Sequence, residues 1–196
     1  MKNNTNDNIT EKTREIRALY DETTIRVYQA YNDKIADEAI MLGTFGQSFK
    51  MERMTWIKPS FLWMMYRSGW ATKDGQERIL AIDIKREGFN KIVEGAVISS
   101  FGESDYTSYE EWQDKIKTSE VRCQWDPDRD IFGNPLNRRA IQLGLKGSMV
   151  KSYVHDWIVR ITDITDEVIK IRESIKSRAF EESMLPVEYK YCFDEL

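Results

Sequence analysis

Along most of the chain apolar and polar residues alternate or recur at helical spacing, but between residues 55 and 70 they condense into one apolar block, Phe61-Leu62-Trp63-Met64-Met65-Tyr66. Pro59 holds Lys58 extended and suits a first helical turn, and Gly69 suits a left-handed stop. This predicts a helix over 59–68. It is too short to cross a bilayer and apolar on every side, so it is expected within the core. Residues 23–31 alternate as a strand, with Ile25 and Val27 on the core face and Arg26 and Tyr28 on the other. Asn32 or Asp33 caps a helix that runs to Leu42 and stops at Gly43. A loop over 44–52 follows. After the Asp74-Gly75 turn, 78–85 reads as a strand with Leu80, Ile82 and Ile84 inward and Asp83 outward.

Further on, the pattern predicts a helical turn at 90–94, a strand at 96–100 and a helix over 108–117 opened by the Ser108/Glu111 capping box. A strand at 121–125 leads into a loop over 126–135. Strands at 139–145 and 157–162 flank a short helix from Ser148. A long amphipathic helix over 165–183 is capped by Thr165 and presents Val168, Ile169, Ile171, Ile175 and Phe180. Residues 15–20 form a short helix or an extended lead-in, 1–12 a frayed tail and 13–196 one domain. Helices and strands mix without regular β-α-β alternation. The expected class is therefore α+β, a single compact domain with a mixed or antiparallel sheet.

Composition narrows the chemistry. With 29 basic and 33 acidic residues the net charge is −4, which argues against a protein that coats nucleic acid and leaves room for a local basic cleft. Cys123 and Cys192 belong to no C-x-x-C and read as reduced cysteines. His155 is the single histidine, so a histidine zinc site is not expected, and any Ser-His-Asp relay would have to pass through it. Asp126 to Asp130 begins like a calcium loop, but its glycine comes late, at Gly133, and the twelfth position is Asn137 rather than glutamate. An Asp/Pro turn is the reading, and no metal is expected. No leader or membrane-spanning run is present, which makes a cytoplasmic protein without membrane contact the expectation.

At about 100° per residue, Ser60, Trp63 and Arg67 share one side of helix 59–68, and Phe61, Leu62, Met65 and Tyr66 the other. Lys58, Ser60 and the free N–H groups of the first turn make a candidate anion site. Arg67 either joins it or pairs with an acid. On their strand face, Arg26 suits a phosphate and Tyr28 a flat ring, unless that face is merely ion-paired. Gly144 to Ser148, with Lys146 at its centre, is a second anion candidate that matches neither G-x-x-x-x-G-K-[ST] nor G-x-G-x-x-G; a plain turn is the alternative. Arg138, Arg139, Lys146, Lys151 and Arg160 suit a nucleotide or nucleic acid if they share a face. Otherwise they are a solvated scatter.

The strings Thr24-Ile25-Arg26-Val27-Tyr28-Gln29-Ala30-Tyr31, Thr55-Trp56-Ile57-Lys58-Pro59-Ser60-Phe61-Leu62-Trp63-Met64-Met65-Tyr66-Arg67-Ser68-Gly69-Trp70 and Arg139-Ala140-Ile141-Gln142-Leu143-Gly144-Leu145 resemble a bacterial and fungal family classed as a domain of unknown function (number four-two-nine-one). That likeness brings no activity with it. A second resemblance is to the ADP-ribosyltransferase superfold, which implies an NAD-contacting arginine on the first strand, a helix ending in glycine and a later aromatic beside the nicotinamide. Arg26, the helix ending at Gly43 and Tyr66 match in order. The late glutamate of those enzymes has no counterpart. Gln142 stands in for it, and Arg139 corresponds to the arginines used by members that act on RNA ends. The resemblance thus implies catalytic roles for Arg26, Tyr66, Arg139 and Gln142. The first expectation is an NAD- or nucleotide-binding, ADP-ribosyltransferase-like protein holding its cofactor with Arg26, Tyr28, Lys58, Ser60, Arg67 and Lys146. The alternatives are a non-catalytic nucleic-acid-binding module and an interaction domain that dimerises through the C-terminal helix.

Overall fold

Strands lose their polar alternation where a sheet is covered on both faces, and that is the situation at the centre of the computed structural model, which describes residues 13–192. The tail expected at 1–12 lies outside the described residues. The chain enters through strand β1 (Arg17–Ala18), so 15–20 is the extended lead-in rather than a helix. The Asp21 carboxylate accepts from the Thr23 and Thr24 N–H groups at 2.8 and 2.7 Å and turns the chain into β2 (Thr24–Tyr31). Asn32 caps α1 (Asp33–Leu42) by accepting from the Ile35 N–H, and Gly43 ends it at φ 70°. Next come β3 (Thr55–Ile57) and α2 (Phe61–Ser68), the latter capped by Ser60 and closed by Gly69 at φ 60°.

β4 (Arg78–Lys85) passes directly into α3 (Arg86–Glu94), a longer helix than the turn expected there. β5 (Ala96–Ile98) connects through α4 (Tyr109–Thr118) to β6 (Val121–Arg129), and β7 (Pro135–Leu145) returns beside it. The loop expected over 126–135 is therefore mostly hairpin. Pro127 is tolerated because the register shifts between Pro127 and Arg129, so the missing N–H interrupts no regular ladder. Asp130 closes the tip by accepting from the Phe132 and Asn134 N–H groups.

α5 (Gly147–Ser152) continues into a π-helical turn, Tyr153–Trp157, before β8 (Ile158–Asp163) and α6 (Thr165–Lys176). α6 stops seven residues before the expected end at 183. Arg178 adopts φ 59°, and the Ala179 N–H folds back to the Ser174 carbonyl. Thr165 is not the cap either: its hydroxyl is held by Asp163 and accepts from the Ile79 N–H. β9 (Tyr189–Lys190) finishes the described chain against β1. None of the described helices is long and apolar enough to cross a membrane.

The strands form an antiparallel sheet β2-β4-β8, a mixed sheet β3-β7-β6-β5 whose β5–β6 pair is parallel, and the β1-β9 ribbon. The main core fills the space between the two larger sheets with Ile25, Val27, Ile57, Leu80, Ile82, Leu143 and their neighbours. A second core covers the opposite face of β2 and β4, where Tyr28, Ile79 and Ala81 meet Phe61, Met64 and Met65 of α2 and Val168 and Ile171 of α6. Two expectations fail. Tyr28 is 1% exposed because this core covers it, and Asp83, instead of pointing outward, is buried with Arg26 and Arg160 on its carboxylate. The apolar face of α6 is likewise used against the chain's own core. All the described elements pack into one α+β domain with α2 near its centre.

Candidate functional site

Among the described residues, the two larger sheets are joined by backbone hydrogen bonds at one residue pair. Tyr28 of β2 and Lys58, just past β3, exchange backbone hydrogen bonds of 2.8 and 3.3 Å. Beyond that bridge, side chains take over. The Gln29 amide nitrogen donates to the Thr55 hydroxyl at 2.6 Å and to the Tyr31 hydroxyl at 2.8 Å, and its oxygen accepts from Tyr153 at 2.8 Å. Burial holds the Tyr31 and Tyr153 phenols well above their ordinary range, so both stay neutral. The gap opens as a cavity of about 780 Å³, within the size range of small-molecule sites.

Its lining is chemically one-sided. Among the described residues, Lys34, Lys50, Arg53, Lys58 and Arg67 contribute to the walls, and no aspartate or glutamate does. None of the five forms an ion pair among the described residues. Elsewhere arginines meet acids: Arg26 and Arg160 share Asp83, Arg78 reaches Asp33, Asp37 and Asp163, Arg138 meets Asp128 and Arg139 meets Glu103. On a chain of net charge −4, five unpaired cations around one hollow make a focused positive field. Trp56, Tyr31 and Phe49 supply flat apolar wall, and Gln76, Gln124 and Gln142 supply amides.

Lys58 is the buried member of the set, 6% exposed. Its Nζ donates to the Trp56 carbonyl at 3.4 Å. Burial, then the nearby Arg67, pushes its amine down to about 7, against a smaller opposing pull from Asp126. Gln142, on the neighbouring strand β7, also lines the hollow, with its nitrogen fixed at 2.8 Å to both Gln124 and Asp126. Arg67 stands in the last turn of α2, where a cation complements the helix dipole.

Of the residues singled out from sequence, Lys58, Arg67 and Gln142 therefore line one cavity. The others lie elsewhere. Arg26 grips Asp83 bidentately at 2.7 and 3.0 Å and has no place on the cavity wall. Tyr28 stands edge-on to Phe61 in the second core, so its ring has no room for a ligand. Ser60 caps α2 and donates to Asp128 at 3.3 Å. Tyr66, placed on the side of the helix opposite Trp63 and given a catalytic role by the resemblance, is exposed and lines no part of this cavity; it stacks on Trp63 beneath the Arg129 guanidinium, 4.1 Å away. Arg139 pairs with Glu103 at 2.9 Å and borders a separate, smaller hollow. Lys146 donates from Nζ to the Lys117 carbonyl, and the anion position expected beside it is filled by the chain's own Glu120, which accepts from the Ser148 N–H and hydroxyl.

Three wall cations, Lys34, Lys50 and Arg53, were not singled out, because each occupies a position where a solvated charge is ordinary. Gln29 carried a usable signal, a polar amide on the same strand face as the apolar Ile25 and Val27. Among the described residues no group of histidine, cysteine, aspartate and glutamate could hold a metal ion. No curated protein matches the chain. Residues 15–191, which include every wall of the cavity, match the family model described as Domain of unknown function (DUF4291), and the chain belongs to that family.

Proposed function

We propose that the cavity at the seam of the two sheets binds NAD or another nucleotide by its phosphates. One observation carries the reading: among the described residues five cations line the hollow, unpaired and without a single carboxylate, on a chain that is acidic overall. A desolvated Lys58 with Arg67 beside it favours an anion that brings at least two negative charges, as a pyrophosphate does. Lys50 and Arg53, on the loop before β3, reach the same hollow from the other wall. Trp56 offers a surface on which a base can stack.

When bound, NAD would supply a transferable ADP-ribosyl group. The chain's own residues would hold the phosphates with Lys58 and Arg67, and the fixed amides of Gln29 and Gln142 would present a rigid polar floor. Of the residues to which the superfold resemblance gives catalytic roles, Gln142 alone lines this cavity. The cavity is therefore read as a binding site.

Calorimetric titration with NAD, ADP and adenosine tests it. NAD and ADP should bind, adenosine should not, and Arg67→Ala should weaken binding about tenfold, the effect of losing one charge-assisted contact. Absence of heat with both NAD and ADP at millimolar concentration refutes the proposal.

A further inference from the structure

Lys58 differs in kind from the other four cations of the cavity. Lys34, Lys50, Arg53 and Arg67 are exposed, whereas Lys58 is buried with one neutral, distant partner for its Nζ. The charged groups that act on it are Arg67 from α2, which opposes its protonation, and Asp126 from β6, which favours it. Asp126 is already engaged by the Gln142 amide. A buried ammonium in that company sheds its proton readily, so much of the amine is neutral at neutral pH and its lone pair is available as a nucleophile. Its backbone is pinned by the two hydrogen bonds to Tyr28 and by the following proline.

We propose that Lys58 is a nucleophilic amine and that the cavity admits a phosphorylated aldehyde, which this lysine captures as an imine. The inference rests on reading the cavity as an anion site and adds a covalent step to it. The four exposed cations account for the phosphate. An aldehyde fits better than an ester or amide, because among the described residues the lining holds no histidine, cysteine or carboxylate to relay an acyl group or serve as its base. Imine formation asks for little beyond the neutral amine. The Nζ lone pair adds to the carbonyl carbon, a proton passes from nitrogen to the oxygen, and the carbinolamine loses water as the C=N bond forms. One amine and one aldehyde give one imine and one water. When the imine protonates, the phosphate offsets its charge beside Arg67.

The test uses the full chain with pyridoxal 5′-phosphate as probe, borohydride reduction and peptide mass spectrometry, run beside an ADP titration. A single reduced adduct on Lys58 is expected, forming about tenfold faster than with 5′-deoxypyridoxal, which lacks the phosphate and cannot close to a hemiacetal, suppressed by ADP, and titrating near pH 7 where surface lysines titrate near 10. Lys58→Arg offers no amine for imine formation and should abolish the adduct; Lys58→Met replaces it if the arginine variant does not fold. Label on other lysines with Lys58 unmodified, in a chain that still binds ADP, overturns the imine and spares the nucleotide reading. A Lys58 adduct in a chain that binds neither NAD nor ADP supports the amine and removes that reading. Loss of both fells both, and equal rates with and without the phosphate overturn the substrate class.

Discussion

A lysine buried beside an arginine raises the free energy of the folded chain whenever it carries its proton. The folded-state affinity of Lys58 for that proton is depressed to about 7, against an ordinary 10.5. Between those two pH values the unfolded chain binds more protons, so stability rises with pH; below about 7 both states are protonated and the whole penalty is present. Lys58→Met removes the charge and keeps the length. It should stabilise the chain by about 1–3 kcal/mol at pH 6.5, with the gain shrinking as pH approaches 10. Denaturant unfolding of both proteins at pH 6.5, 8 and 10 gives the comparison, and a gain independent of pH would place the cause in packing rather than charge. A lysine kept at such cost fits a residue retained for its chemistry.

At the level of elements, the cavity exists because β2 and β3 meet through one residue pair and then part. Trp56, on the wall, lies in register opposite Gly144 of β7, and a Cβ there would come within 2.8 Å of the Met54 Sδ and 3.0 Å of the Trp56 ring. Gly144→Ala should cost about 1–3 kcal/mol through overpacking and should weaken nucleotide binding by displacing Trp56. Unfolding curves and the ADP titration read both effects, and intact binding would clear Trp56 of any role. The elements themselves were legible where local chemistry decides them. β4 falls on the expected residues 78–85, and both Asn32 and Ser108 cap helices as their spacing implies. Others were not, since the deciding group is distant or absent from the local pattern. Pro127 and the aspartates around it spell a turn, yet cross-strand pairing with β7 carries β6 past them. α6 ends at an arginine in the left-handed region, where glycine would have announced the stop. The site divides the same way. Lys58 and Arg67 were marked by odd polarity beside apolar strings and Gln142 by the superfold resemblance, while Lys34, Lys50 and Arg53 gain meaning once the fold gathers them, and Arg26 loses its expected role because Asp83 stands in register opposite it.

Across the whole molecule, the last described residues lock the first ones in place. β9 pairs with β1, and Tyr191 buries its ring against Tyr20 and Phe89 while its hydroxyl meets Asn90 at 2.6 Å. Tyr191→Ala should therefore cost about 3–5 kcal/mol, seen as an earlier denaturant midpoint; a shift under 1 kcal/mol would mean that this end of the chain is not integral to the fold. The same segment brings Glu188 over the start of α2, where its Oε1 accepts from the Phe61 N–H at 2.6 Å. Burial raises its carboxyl to about 8, with the neighbouring Asp128 adding to the effect and the Phe61 N–H, Arg17 and Arg138 opposing it. Here the sign is the reverse of Lys58. Between the ordinary 4.5 and about 8 the folded chain binds more protons than the unfolded one, so the stability this carboxyl gives is complete below 4.5 and is lost as pH rises through 8. Glu188→Gln keeps an oxygen to accept from Phe61 and cannot ionise. It should match the parent chain near pH 4.5 and exceed it in stability above pH 8, which paired unfolding curves at the two pH values decide. A parent chain that gains stability over the variant as pH rises would mean that Glu188 is held as a carboxylate, stabilised by the α2 N-terminus rather than opposed by burial.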